Sequence, residues 1–161
     1  MEVRGHEITA DADLAGADLT DADLRSVDLT GAWLGGAVLS GSDLSDARLV
    51  GADLRHAICR STIFADTDMH HANLWSADLT DAQMGGAVLN GATIRAANLS
   101  GAILRGASLI GTDLSLSDLV GADLSEAQLD QVVLDGIRHD ETTRWPDDFS
   151  PPSSGGLDDH D

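Results

Sequence analysis

The stretch GADLTDADLRSVDLTGAWLGGAVLSGSDLS, residues 16–45, repeats one pattern every five residues: a small residue, a variable one, a leucine and two more variable ones. The pattern runs without interruption over residues 12–136, which makes twenty-five copies. The central residue is Leu in twenty copies and another apolar residue in five. A period of five fits neither the 3.6-residue turn of a helix nor the alternation of a long strand. The chain must therefore turn once per repeat.

The two flanking columns of the repeat support this interpretation. Ala stands two places before the central residue in eighteen copies, and the other seven have Val, Ser or Thr there. Gly occupies the last place in twelve copies, as at Gly16, Gly51 and Gly121. Glycine supplies the permissive backbone that regular corners need. Short straight edges joined by such corners predict a coil with a Leu column beside an Ala column inside.

These residues are similar to the A-(D/N)-L-x-x consensus of the pentapeptide-repeat family, and the resemblance covers about three quarters of the chain. It implies an all-β fold, a right-handed quadrilateral parallel β-helix with four repeats per coil and so about six coils. Four repeats per coil would stack residues 54, 74, 94 and 114 on one side. Coils stacked at the spacing of β-strands would form a rod about 30 Å long.

The ends of such a coil need closure, because open edges pair with other molecules. We expect residues 1–11 to form an N-terminal cap or lead, residues 12–136 the β-helix and residues 137–152 a C-terminal cap. Residues 153–161 are rich in Ser, Gly and Asp, and we expect them to be disordered.

The expected C-terminal cap contains DETTRWPDDFSPP, residues 140–152, which resembles the terminating motif of the family. Trp145 and Phe149 would cover the last plane of Leu side chains, and Pro146 would stop further pairing. A recognition peptide is the alternative interpretation of this segment.

Charge and composition restrict the partners. The chain has 28 acidic residues against 9 basic ones, a net charge of −19, which argues against direct binding of nucleic acid or an anionic membrane. A basic or DNA-binding protein is the easier partner. The first ten residues lack the features of a secretory signal, and Cys59 is the only cysteine, so no intrachain disulfide can form. We expect a cytoplasmic protein.

No pattern of residues indicates catalysis. Asp precedes the central residue in eleven copies. We favour a role in hydrogen bonding the corner backbone over a cation-binding row. His56 and His71 fall at different corners, and Cys59 takes a central, buried place. We therefore expect a non-enzymatic protein without a cofactor or a metal.

Three residues in the middle of the rod form the first candidate binding site. Arg55, Trp75 and Arg95 are twenty residues apart, so a four-sided coil would place the Trp75 ring between two guanidinium groups. Each such contact contributes about 0.5–1 kcal/mol when exposed. The stack would either stabilise the rod surface or act as a binding hot spot. Charge is lowest here, because residues 51–110 carry five acids and four Arg.

The sequence leaves two functions open. The first is an interaction or scaffold rod that binds an unidentified protein. The alternative, implied by the family resemblance, is a DNA mimic that protects or inhibits a type II topoisomerase such as DNA gyrase. Eighteen acids and six Arg within the repeats give about one net charge per 2.5 Å, against about 1.7 Å in B-DNA.

The candidate residues for mimicry are the seven acids outside the consensus place, which the fold does not obviously require. Homodimerisation through a solenoid end is also left open. The seven acids are Asp21, Asp46, Asp66, Asp81, Glu126, Asp130 and Asp135.

Overall fold

The structure, a computed structural model, describes residues 1–155 as a four-sided β-solenoid. Parallel bridges join each residue before a centre to the residue twenty places further on, from Asp13–Trp33 onward. The backbone N–H of Leu54 donates to the carbonyl of Asn73 at 2.7 Å, and that of Leu74 donates to Thr93 in the same way. Four repeats therefore make one coil, and residues 54, 74, 94 and 114 lie on one side, as predicted.

We number the sides 1 to 4 by their first centres, Leu14, Leu19, Leu24 and Leu29. Pairing continues past the predicted end of the repeat: Asp118 bridges Arg138, and Asp123 bridges Arg144 after one extra residue. The right-handed sense of the coil and its total of about six turns stay predictions. No helix in residues 1–155 has the length and apolar character that a membrane crossing needs.

Every corner is a β-turn with one unusual backbone conformation. The carbonyl of each centre accepts a hydrogen bond from the N–H three residues later, as Leu14 does from Ala17 at 3.0 Å. The last residue of all twenty-five repeats has a positive φ, between 53° and 71°. A positive φ at the third residue is typical of type II turns. Thirteen of these residues are not glycine, so the corner tolerates side chains such as those of Asp46 and Ser76.

The consensus Asp closes each corner from outside. The side chain of Asp43 accepts a hydrogen bond from the backbone N–H of Ser45 at 2.9 Å, two residues ahead. All eleven consensus Asp residues make this bond, which confirms the predicted backbone role. Asn73 and Asn98 make the same bond at 3.1 and 3.0 Å, so the amide can replace the carboxylate.

The inward side chains form one continuous buried core. Leu74 and Ala72 are fully buried, as are nearly all the central and small positions. Where Thr replaces Ala, its hydroxyl is paired: Thr62 Oγ1 donates to the carbonyl of Leu39, in the coil before, at 2.8 Å. A buried hydroxyl needs such a partner. The small column therefore accepts Ser and Thr without breaking the core.

The first eleven residues contact the first coil. Strands β1 (Glu2–Val3) and β2 (His6–Glu7) form an antiparallel hairpin. Val3 and the buried Ile8 pack against the hydrophobic core. Arg4 extends from the hairpin turn, and its guanidinium lies 3.3 Å from the carboxylate of Asp18. The hairpin thus covers the apolar interior at this end.

The opposite end is covered by aromatic side chains. The hydroxyl of Thr143 donates to the carbonyl of Leu119 at 2.9 Å, the bond that Thr makes at small positions of the repeat. Trp145 therefore takes the place of a centre. Its ring stacks on Phe149 with centroids 5.3 Å apart, and both pack against the core.

The start of the expected disordered tail contacts the rod. The hydroxyl of Ser154 accepts a hydrogen bond from the N–H of His139, and the N–H of Gly155 donates to the carbonyl of Ile137. The rest of that predicted tail, residues 156–161, lies outside the described residues.

The first testable prediction concerns the buried column. Leu74→Ala should lower the free energy of unfolding by about 2–5 kcal/mol, because the surrounding coils cannot close the cavity. Ser76→Ala, two residues away on the surface with no side-chain hydrogen bond in the described chain, should change it by less than about 0.5 kcal/mol. Urea denaturation followed by circular dichroism measures both. Equal losses would show that the inward and outward assignment is wrong.

Candidate interaction surface

Two tryptophans are exposed on side 1 of the rod. Trp33 is 59% exposed and Trp75 is 41% exposed. The bridges Trp33–Asp53 and Asp53–Asn73 place them two coils apart on the same sheet. Large aromatic side chains left in solvent on a rigid surface are common in binding sites.

Arg55, Trp75 and Arg95 lie on adjacent coils, but they do not form the predicted stack. The Arg55 guanidinium pairs with Asp53, with Nη2 and Oδ2 2.6 Å apart, and Arg95 Nη1 donates to Ser115 Oγ at 2.9 Å. In residues 1–155 the ring partner of Trp75 is His56, which meets it edge-on with centroids 4.7 Å apart. The predicted stack is therefore wrong.

For Arg55, a carboxylate two residues away explains the difference. A charge-assisted hydrogen bond to Asp53 is stronger than an exposed contact with an aromatic face. Arg25 makes the same pair with Asp23 at 2.7 Å. The sequence signal is Arg two places after a consensus Asp, and it could have predicted both pairs.

We call Trp33, Arg55, His56, Trp75 and Arg95 the waist surface. The surface beside Trp33 has no side chains at positions 35 and 36, because both residues are glycine. Ile58 on side 2 is 40% exposed and Ile103 on side 3 is 46% exposed, while two further exposed apolar side chains, Leu116 and Val133, belong to side 1 in the last coils. Side 1 is therefore the side on which aromatic and Arg side chains gather.

The seven acids outside the consensus place do not converge on one surface. Asp130 lies on side 4 and Asp135 on side 1, while the other five occupy two corner columns. Glu126 is paired with Arg105 at 2.6 Å. Their spread weakens the interpretation of these residues as one binding stripe.

Three of these acids have a packing role that sequence reasoning missed. The carboxylates of Asp21, Asp66 and Asp81 each lie over the corner glycine of the next coil. A Cβ atom added to Gly41 would be 2.2 Å from the Asp21 carboxylate oxygen, and Gly86 and Gly101 have the same relation to their acids. The available signal was the spacing, since each Asp precedes its Gly by twenty residues.

Hydrogen bonds at the corners lower the pKa values of several consensus carboxylates, among them Asp18, Asp23 and Asp43. The hydrogen bond from the Arg25 side chain is the main cause that lowers the pKa of Asp23 to about 2. The hydroxyls of Thr20 and Ser45 are the main causes that lower the pKa values of Asp18 and Asp43. These side chains carry full negative charge at neutral pH.

The residues considered for catalysis or metal binding lie apart. Burial raises the pKa of Cys59, so its thiol stays protonated at neutral pH. His70 Nδ1 lies 2.6 Å from the carboxylate of Asp68. Within residues 1–155, no three His, Cys, Asp or Glu side chains lie close enough to hold a metal ion.

The repeat identifies the family. A family model described as pentapeptide repeats (8 copies) matches residues 10–41, 42–81, 67–106 and 97–136. These matches span well over half of the sequence, so this chain belongs to the pentapeptide-repeat family. The match indicates no enzymatic family. A comparison with curated proteins finds no match.

Solved structures of the same family resemble the chain. The structure of alr5209, a pentapeptide repeat protein from Nostoc PCC 7120, is 30% identical over 61% of this chain and 77% of its own, with a TM-score of 0.54. HetL, involved in heterocyst differentiation regulation in Nostoc sp. strain PCC 7120, is 29% identical over 80% of this chain and 64% of its own, with a TM-score of 0.41.

A third solved structure shares the fold alone. It is a trypsin-treated variant of QnrB1, a plasmid-mediated fluoroquinolone resistance protein. It is 20% identical over 83% of this chain and 81% of its own, with a TM-score of 0.51.

The lowered pKa values predict a stability that falls in acid. Because the folded pKa values lie below the unfolded value of about 3.9, the stabilisation is full above about pH 5 and is lost as the pH falls toward 2. Thermal melting followed by circular dichroism at pH 6, 4 and 3 should show a falling Tm. A Tm that rises over this range would show that relief of repulsion among the acids outweighs the corner hydrogen bonds.

Proposed function

We propose that this protein is a non-enzymatic cytoplasmic rod that binds another protein through the waist surface. The main observation behind this proposal is that Trp33 and Trp75 are 59% and 41% exposed on the same side of the rod, with Arg55 and Arg95 on neighbouring coils. Trp and Arg are the residues most enriched at binding hot spots. The proposal rests on the chemistry of this surface.

Charge supports this choice of side. In coils two to five, side 1 carries one acid, Asp53, against Arg55 and Arg95. Side 3 carries three acids over the same coils, Asp43, Asp46 and Asp66, against Arg105. A partner approaching side 1 therefore meets the least repulsion if it is neutral or acidic, while its apolar atoms can bury the two indole rings.

Rigidity also supports the proposal. Backbone hydrogen bonds join each waist residue to a neighbouring coil, as the carbonyl of Arg95 accepts one from the N–H of Ser76 at 3.0 Å. Such a surface has little backbone freedom to lose on binding, so more of the contact energy appears as affinity.

The test compares two single substitutions. The partner is first captured from native cytosol with the tagged protein and purified, and its affinity is then measured for the variants. Trp75→Ala should weaken binding at least about tenfold, the loss expected of a hot spot. Ile103→Ala on side 3 removes a similarly exposed apolar side chain and is the matched control, with an expected change below about twofold. Equal losses from the two variants would contradict the proposal.

The alternative function is mimicry of DNA toward a type II topoisomerase. It is supported by outward carboxylates of the repeat such as Asp18, Asp23 and Asp43, whose pKa values the corner hydrogen bonds lower. It is weakened by the fifth coil, residues 92–111, which carries Arg95 and Arg105 and no acid at all. A continuous DNA-like stripe of charge would be interrupted there.

Gyrase supercoiling tests the alternative directly. Six of the seven non-consensus acids are changed to Asn and Glu126 to Gln; Asn keeps the size of Asp and tolerates a positive φ. If mimicry holds, wild-type protein at micromolar concentration should inhibit supercoiling or relieve quinolone inhibition, and the variant should do so less. Added salt should weaken the wild-type effect. No wild-type effect with or without a quinolone would reject mimicry of DNA toward gyrase.

A further inference from the structure

Acidic residues are arranged by coil in a way that neither function explains. The first coil, residues 12–31, has a carboxylate on every one of its four sides, and so has the coil at residues 112–131. The coil at residues 92–111 has none. The first-coil residues before the centres are Asp13, Asp18, Asp23 and Asp28.

Those four residues occupy an open β edge. In the second coil, the N–H of Val38 donates to the carbonyl of Ala17, and the other sides repeat this bond. The equivalent N–H groups of the first coil, which belong to the four Asp residues, donate to no carbonyl within residues 1–155. An unpaired β edge is a template for association with another chain.

The N-terminal hairpin closes the interior and leaves most of this edge uncovered. Its contacts are the packing of Val3 and Ile8 on the core and the Arg4 guanidinium, which bonds the carbonyl of Thr20 at 2.7 Å on side 2. All four Asp side chains are exposed, with Asp18 at 66% and Asp23 at 64%. Arg4 pairs with Asp18 at 3.3 Å and Arg25 pairs with Asp23 at 2.7 Å, while Asp13 and Asp28 form no ion pair within residues 1–155, so the ring and its two arginines keep a net negative charge. By contrast, the inner-coil residues Asp53 and Asp78 are only 24% and 21% exposed.

We propose that this ring of four carboxylates controls self-association, keeping a second copy of this chain away from the N-terminal end. Two rods that met through these ends would place one ring against the other, at a separation of about 5 Å if the edges paired. Like charges at an edge are a known device against such pairing. Neutralising or screening the ring opens the end to a second copy.

The experiment compares two quadruple variants of equal charge. The ring variant carries Asp→Asn at 13, 18, 23 and 28, and the control carries Asp→Asn at 43, 53, 68 and 78. Each changes the net charge from −19 to −15. Asn preserves the corner hydrogen bond, as Asn73 and Asn98 already show. Sedimentation velocity over a range of protein concentrations measures association, and X-ray scattering measures the length of any dimer.

The ring variant should associate at least about tenfold more strongly than the control at an ionic strength of about 0.01 M, where the screening length is about 30 Å. Its dimer should be about twice as long as the monomer, as end-to-end contact requires. Equal association of the two variants would show that net charge alone matters and would overturn the proposal. A ring variant that stays monomeric, or that associates side by side, would also overturn it.

Wild-type protein gives a second test if the ring variant fails to fold. Raising the salt to about 1 M shortens the screening length to about 3 Å and should promote end-to-end dimers. Wild-type protein that remains monomeric at every salt concentration would then overturn the proposal.

Discussion

The structure depends on one backbone constraint, a positive φ at the end of each five-residue repeat. This conformation makes a corner after every repeat, so four repeats form one four-sided coil. The residue before each centre therefore pairs with the residue twenty positions later in the next coil. Gly meets the constraint at no steric cost, while Asp, Ser and His meet it at a small one. Everything else follows from repetition of this corner: an inner column of Leu, a flat outer surface and a ladder that fixes the spacing of the side chains.

Most of the acidic residues of the repeat have a structural role at the corners. Eleven Asp residues hydrogen bond the corner backbone, and Asp21, Asp66 and Asp81 lie over a glycine of the next coil. A net charge of −19 therefore need not indicate a DNA-like surface. Because so many carboxylates are explained by the fold, their distribution among coils is more informative than their number. The waist surface stands out for the opposite reason, since its indole rings have no role in the corners.

The sequence predicts the fold well because the local geometry of each repeat can be inferred from its own five residues. The period gives the corner, and the alternation of small and central residues gives the inward side chains. The predicted contact between Arg55 and Trp75 is wrong. The repeat spacing determines which backbone positions lie on adjacent coils, but it does not determine which of several neighbours a long side chain contacts. Arg55 reaches along its own strand to Asp53. The sequence also does not predict that Arg138 pairs with Asp118 and Arg144 with Asp123. Backbone pairing continues there although the five-residue pattern of side chains ends at residue 136.

The central claim is that one side of the rod binds a partner, and a scan around a single coil tests it most directly. A photoreactive amino acid placed at 35, 40, 45 or 50 occupies the same position, one residue after a centre, on sides 1, 2, 3 and 4 of the second coil, and leaves Trp33 and Trp75 in place. Irradiation in native cytosol, followed by electrophoresis and mass spectrometry, should give one dominant crosslinked protein at position 35, beside Trp33, and little at the other three. Crosslinks to the same protein at equal yield on all four sides, or a maximum on side 3, would contradict the account.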